Sequence, residues 1–373
     1  MPDGDLIAEA ARQMTICNAC RYCEGYCAVF PAMELRRAFT AGDLTYLANL
    51  CHDCRDCYYA CQFAPPHAFA VNVPQIFAEI RADTYRDASW PAAARGLFHR
   101  NARAVAGITA VSALLILALV LFFQGPATLF GVHVGANAFY RVIPYAALVI
   151  VPSLVALWGI AVFARGARRF WIAARTVPTA PLGLGAILAA ARDIAQLRYL
   201  HGGEAGGCNY PGAAFSQSRR WLHQLTFYGF LLDFAATTVA AFYSHILRWP
   251  APYPLLSAPV VLGTVGGVML LIGAGGLLVL KRRSDPEPAA LRTRGMDVAF
   301  LGLLFLASLT GLALLALRET AAMGMLLVLH LGFVAGIFLT APYGKFAHAV
   351  YRALALVRNA LEQAAADRGA ASL

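Results

Sequence analysis

Charge is scarce in this chain. Asp, Glu, Lys and Arg make up 13% of its 373 residues and hydrophobic residues 60%, against about a quarter and about a half in ordinary globular proteins. So few charges cannot give that much apolar surface a coat of water-facing groups, which excludes a wholly soluble protein. Lysine is nearly missing, since 28 of the 30 basic residues are arginine. In a membrane protein a basic excess, here +10, reads as loop charge on one side, and this disfavours nucleic-acid binding. Cysteine almost vanishes after Cys61. Eight of the nine lie between Cys17 and Cys61, and only Cys208 lies outside. The opening residues MPDGDLIAEAARQM carry acids and have no apolar signal core, so the cysteines are expected in the reducing cytoplasm, where disulfides are disfavoured. No stretch of the head alternates cleanly with period two, which argues against a strand-built ferredoxin. No nucleotide or flavin fingerprint is present, so any flavin belongs to a separate chain.

What is there divides into a polar head, residues 1–98, and an apolar body, residues 99–373. In the head, Met33–Phe39 and Asp43–Leu50 read as helices with Gly42 and Asp43 as break and N-cap, and Val73–Asp83 as a third. The body carries six apolar segments: Ala104–Phe123, Val142–Ala164, Trp221–Leu247, Leu255–Leu280, Val298–Leu317 and Ala321–Gly344. Each can cross a hydrocarbon core about 30 Å thick, which takes about 20 helical residues. With the head inside, 27 of the 30 basic residues fall on one side, and only Arg141, Arg248 and Arg318 on the other. That bias predicts cytoplasmic N- and C-termini in a bacterial inner (cytoplasmic) membrane. The inner loop 165–220 is too long for a simple turn, and Pro181–Leu200 within it is suited to lie along the bilayer surface. The expected fold is all-α: a helical dicluster head followed by a six-helix transmembrane bundle.

Two cysteine runs share one spacing, Cys17-x2-Cys20-x2-Cys23-x3-Cys27 and Cys51-x2-Cys54-x2-Cys57-x3-Cys61. Three close cysteines on one loop can hold three irons of a cubane, and the fourth cysteine of such a run serves the other cluster. The spacing therefore predicts one [4Fe–4S] cluster on Cys17, Cys20, Cys23 and Cys61, and a second on Cys51, Cys54, Cys57 and Cys27. Structural zinc sites space their cysteine pairs more widely. Proline does not directly follow either fourth cysteine, a departure from the usual run.

Ionisable residues within membrane spans are rare and point to function. His223 and His245 lie 22 residues apart on the third span, about 33 Å along a helix and about 40° apart in azimuth. His330 and His348 lie 18 residues apart on the sixth span and its extension, about 27 Å and five full turns with no angular offset. The two spans run in opposite directions, so His223 meets the level of His348 near the head, and His245 meets that of His330 on the far side. This suits two bis-histidine b-type haems, or one if the far pair does not close. His133 and His201 read as ordinary loop residues. Asp233, mid-span, is a candidate for proton handling at a quinone or for bonding a haem substituent. A neutral carboxyl beside Thr237 or Tyr228 is the plainer alternative. The loop His201-Gly-Gly-Glu-Ala-Gly-Gly-Cys-Asn-Tyr-Pro211 lacks the Lys-Ser/Thr of a phosphate loop. It reads as a docking turn, with redox use of Cys208 as a second option.

The two quartets, the six spans, the Gly-Gly-Cys-Asn-Tyr-Pro turn and the run Arg219-Arg220-Trp-Leu-His223-Gln-Leu-Thr-Phe-Tyr-Gly-Phe together resemble the tricarballylate (citrate) utilization protein B family. The resemblance spans nearly the whole chain. It implies a membrane iron–sulfur protein that reoxidises a partner FAD-dependent dehydrogenase, with quinone as acceptor, and so an electron-transfer subunit rather than a stand-alone enzyme. A redox sensor, a role beside cobalamin synthesis and a heterodisulfide-type reductase are the alternatives.

Overall fold

The computed structural model describes residues 4–202 and 206–371. The head is built from α1 (Gly4–Cys20), α2 (Val29–Glu34), α3 (Ala41–Leu50), α4 (Asp56–Tyr59) and α5 (Val73–Ala88), followed by a 3-10 turn at Ala92–Phe98. α3 begins two residues earlier than the sequence suggests. Thr40 is its N-cap, and Asp43 closes a reciprocal capping box from the third position, so Asp43 is not itself the cap. Residues 35–39, expected in a helix with Met33, are irregular because α2 stops at Glu34.

The body contains α6 (Asn101–Phe123), short α7 (Gly125–Leu129) and α8 (Ala138–Val142), then α9 (Tyr145–Ala173), α10 (Leu184–Gln196), α11 (Ser218–His245), α12 (Ala258–Arg283), α13 (Leu291–Ala316), α14 (Met323–Thr340) and α15 (Ala347–Ala371). Six of these, α6, α9, α11, α12, α13 and α14, are long and apolar enough to cross a membrane, so the chain is a multi-pass membrane protein. Their outer faces expose large apolar side chains such as Leu114, Leu154, Leu157 and Ile272, which only lipid accommodates on this scale. α11 packs on α12, α12 on α13, α13 on α14 and α14 on α6. The α11–α12 seam is close because a Cβ at Gly266 would meet the Gly229 carbonyl at 2.8 Å, and one at Gly273 would meet Thr226 Oγ1 at 2.5 Å.

Three features differ from the sequence reading. α9 runs on to Ala173, so the stretch after residue 165 begins as helix. The glycine-rich loop forms a small antiparallel ribbon, β1 (Cys208–Asn209) with β2 (Phe215–Ser216); Gly203, Glu204 and Ala205 lie outside the described residues. The sixth span does not continue to His348. It ends at Thr340, a 3-10 turn holds Pro342, and Gly344 is fully extended before α15 starts in a new direction. Proline cannot carry the helical hydrogen bond onward. The five-turn alignment of His330 with His348 is therefore lost.

α15 returns to the head. Tyr351, Ala355 and Leu356 share one core with Met14, Phe30, Leu47, Phe77 and Ile80. Polar contacts reinforce it: Arg36 pairs with Asp43 at 2.5 Å and with Glu362 at 2.9 Å, and Arg358 pairs with Glu362 at 2.9 Å.

Candidate functional site

The two cysteine runs differ in backbone, since Cys17 and Cys20 end α1 whereas Cys51 caps α3 and Cys57 lies in α4, but they share one feature. In each, the arginine after the second cysteine, Arg21 or Arg55, takes a left-handed conformation, with φ of 56° and 73°. Such backbone is costly for an arginine, and here it wraps each loop so that its thiols turn inward. Cys17, Cys20, Cys23 and Cys61 line one cavity of 280 Å³ together with Cys57, Tyr22 and Phe63. Cys27, Cys51, Cys54 and Cys57 line a second, narrower one with Tyr26 and Pro74. The fourth cysteine of each run thus lines the cavity of the other run. The first cavity includes exposed Cys20, whereas Cys51 and Cys54 of the second are buried.

All nine cysteines are free thiols. Burial pushes Cys17 and Cys23 up to about 12, with mutual repulsion among the neighbouring thiols adding to it. A set of thiolates in such places needs a cationic core to hold it. Among the described residues no three His, Cys, Asp or Glu side chains close around a single metal ion. A four-iron core takes each thiolate on a different iron, so its ligands stand spread around a cavity.

Three arginines join the second cysteine loop to the body. Arg81 of α5 donates to the Cys51 carbonyl at 3.0 Å, and Arg352 of α15 donates to the same carbonyl at 2.6 Å. Arg219 of α11 donates to the carbonyls of His52 (at 3.2 Å) and Asp53. All three guanidiniums also line a 370 Å³ cavity whose walls include His223, His348 and the rings of Phe230, Phe300 and Phe346.

His223 and His348 face each other there, with ring centres 6.3 Å apart and planes at 86°. Two imidazoles that each bind one metal at about 2.0–2.1 Å have ring centres roughly 6 Å apart. His348 Nδ1 lies 2.6 Å from the Lys345 carbonyl, so its other nitrogen is left free to bind. Burial, with the charges of Lys345 and Arg352, holds His348 well below the usual imidazole range, which keeps it neutral. Among the described residues His223 Nδ1, which is buried, has no hydrogen-bond partner. Burial, then the neighbouring Arg81, pulls Arg352 down to about 10. An aromatic-walled cavity with facing neutral imidazoles and clustered cations fits a haem with its two propionates.

The other histidines are not brought together. His245 is exposed at the end of α11 and contacts Tyr145 of α9. His330 turns to α13, where Nδ1 reaches the Ala307 carbonyl at 3.1 Å. Asp233 lies half-buried in the α11–α12 seam against Gly266.

Asp297 and its two lysine partners escaped the sequence reading. Asp297 pairs with Lys281 and, at 2.6 Å, with Lys345. These are the only two lysines in the chain, and their rarity was the available signal. Cys208 is fully buried beside Cys54, in a small core with Leu200 and Tyr210, and its thiol donates to the Leu200 carbonyl at 3.3 Å. Asn209 N–H donates to Asp56 at 2.9 Å, so the ribbon does dock, onto the second cysteine loop.

Two family models match this chain. Citrate utilization protein B covers residues 97–370, the spans and α15, and the citrate utilization protein B Fer4-like domain covers residues 10–87, the head. The chain belongs to the citrate utilization protein B family. Citrate utilization protein B of Escherichia coli is 45% identical over 359 residues, covering 95% of this chain and 92% of that protein. No solved structure matches it.

Proposed function

We propose that this member of the citrate utilization protein B family conducts electrons from a soluble dehydrogenase into the membrane. Two [4Fe–4S] clusters, on Cys17, Cys20, Cys23 and Cys61 and on Cys51, Cys54, Cys57 and Cys27, and a haem b on His223 and His348 would supply the one-electron carriers. The observation that carries this reading is the order of the sites. An exposed cysteine cavity is followed by a buried one, then by arginines that touch both the second loop and the histidine pocket.

The chain's own residues have defined tasks in this scheme. The apolar walls of the second cysteine cavity would keep water from its thiolates, which tunes reduction potential. Arg81 and Arg352 fix the Cys51 carbonyl, and with it the distance between the loop and the pocket. His223 and His348 supply neutral nitrogens, while Arg81, Arg219 and Arg352 present cations to the propionates. The far pair, His245 and His330, points to different helices, so one haem is the better supported count. The family resemblance implies an FAD-dependent dehydrogenase acting on a citrate-like tricarboxylate as donor and membrane quinone as acceptor, with the head on the cytoplasmic side. A reductase that uses Cys208 directly is disfavoured, because that thiol is sealed in the core.

A reduced-minus-oxidised optical spectrum of the purified chain, with iron and haem counted, tests the proposal. The expected result is two four-iron clusters and one haem per chain, all reduced by dithionite and reoxidised by a short-chain quinone. A preparation replete with iron but lacking any haem band would refute the scheme.

A further inference from the structure

A cavity of 440 Å³ lies on the far side of α5 from the cysteines, where the head meets the membrane part. It is bounded by α5, by the turn before α6 and by the head-side ends of α6 and α13. Arg86, Arg100, Arg103 and Arg292 line it, with His99, against the single carboxylate of Asp83. Asp83 is already shared, at 3.0 Å from Arg86 and 2.7 Å from Arg292. Among the described residues neither Arg100 nor Arg103 has a side-chain hydrogen bond or ion pair. The cavity therefore holds more positive charge than the protein neutralises, at the depth where phospholipid head groups lie.

The face of α6 that carries Arg103 continues toward the bilayer centre as Ala106, Gly107, Ala110, Val111 and Leu114, all exposed. Their spacing places them on one side of the helix. Their mostly small size would let an acyl chain lie close against this face of the helix, directly below the cations. A free phosphate would use the charge but not this apolar run. Basic pockets between transmembrane helices on the cytoplasmic side are suited to acidic head groups.

We infer that this cavity binds the phosphate of an anionic phospholipid from the head-side leaflet, and that the lipid bridges α5 of the head to α6 and α13. The inference needs only that the six spans cross a bilayer, and it is independent of the electron-transfer reading. Arg100 and Arg103 would make the decisive contacts, since Arg86 and Arg292 are committed to Asp83.

Native mass spectrometry of the full chain with its cofactors, released from detergent after addition of phosphatidylglycerol or phosphatidylcholine, reads the site. Phosphatidylglycerol should be retained in preference to phosphatidylcholine. Retention should fall about five-fold for each arginine removed in Arg100→Gln and Arg100→Gln/Arg103→Gln. Arg141→Gln, at the other end of the spans, should change nothing. Both cavity side chains are exposed and unpaired, so the variants should unfold at the wild-type temperature. Equal retention of the two lipids, or wild-type retention by the double variant, would overturn the assignment. Displacement of the lipid by inorganic phosphate at matching concentration would also overturn it, in favour of a free-anion site.

Discussion

Replacing Glu362 by Gln should loosen the clasp between α15 and the head, and the size of the effect follows from the burial of its partners. Two guanidiniums, Arg36 and Arg358, and two carboxylates, Asp43 and Glu362, form a balanced set with side chains no more than 4% exposed. Gln keeps the shape and one acceptor but leaves a net positive charge in the core. Removing one member of a buried pair costs about 3–5 kcal/mol, roughly two to three and a half decades in the local opening constant. Hydrogen exchange in detergent, read on peptides from α3 and α15, measures that constant directly. Amides around Leu44–Leu50 and Leu356–Leu361 should exchange faster by that factor, while the α11–α12 pair stays protected. In Arg358→Met/Glu362→Leu a balanced Arg36–Asp43 pair remains, and most of the protection should return, because apolar replacements of a buried pair are often neutral. Wild-type exchange in Glu362→Gln, or a double variant worse than the single one, would refute the charge argument.

The same network carries a pH dependence. Burial alone would raise the Asp43 carboxyl, but hydrogen bonds from Thr176, Thr40 and Arg36 outweigh it and hold the group below its ordinary value. Its contribution should be complete above the normal carboxylate range and disappear as pH falls through the depressed value, which exchange on α3 would follow; loss of protection already at neutral pH would contradict it. His223→Ala and His348→Ala should each abolish the haem, whereas His245→Ala and His330→Ala should retain it, as counted by pyridine haemochrome. Cys27→Ala and Cys61→Ala should each damage a different cluster in electron paramagnetic resonance, and loss of the Cys17–Cys20–Cys23 cluster in Cys27→Ala would reverse the assignment. Asn137→Cys in a background lacking Cys208 should react with an impermeant reagent from outside the cell, and labelling only from the cytoplasmic side would invert the topology.

Some of this molecule is written in short-range sequence and some is not. The six spans are legible because a hydrocarbon core demands a minimum apolar length, and each α-helix that meets it satisfies its own backbone. The cysteine runs are legible because each is a loop whose spacing already fixes which thiols can converge. The histidines are only half so. Depth along the spans places His223 and His348 at one level, but the contact between their rings depends on the turn at Pro342 and Gly344, which starts a second helix where periodicity suggests one. The same depth logic brings His245 level with His330 and still cannot say which neighbour each ring faces. One turns to Tyr145 and the other to Ala307. The arginines that join the cysteine loop to the pocket come from α5, α11 and α15, separated by more than a hundred residues, and nothing local marks them. The ribbon at Cys208 is equally silent, since its partner strand and its docking site on Asp56 are set by the tertiary fold.

The position of α15 also fixes the order in which the molecule can be made. Synthesis delivers the head first, with all eight clustered thiols, so both cysteine cavities can be loaded while the spans are still emerging. His348 follows the sixth span and stands in the first turn of α15. The histidine pocket therefore cannot close until every span is inserted and the last helix has swung back onto the head. On the proposed function, a chain truncated after Thr340 would keep all six spans but lack His348, so it could not hold the proposed haem and haem content would report finished assembly.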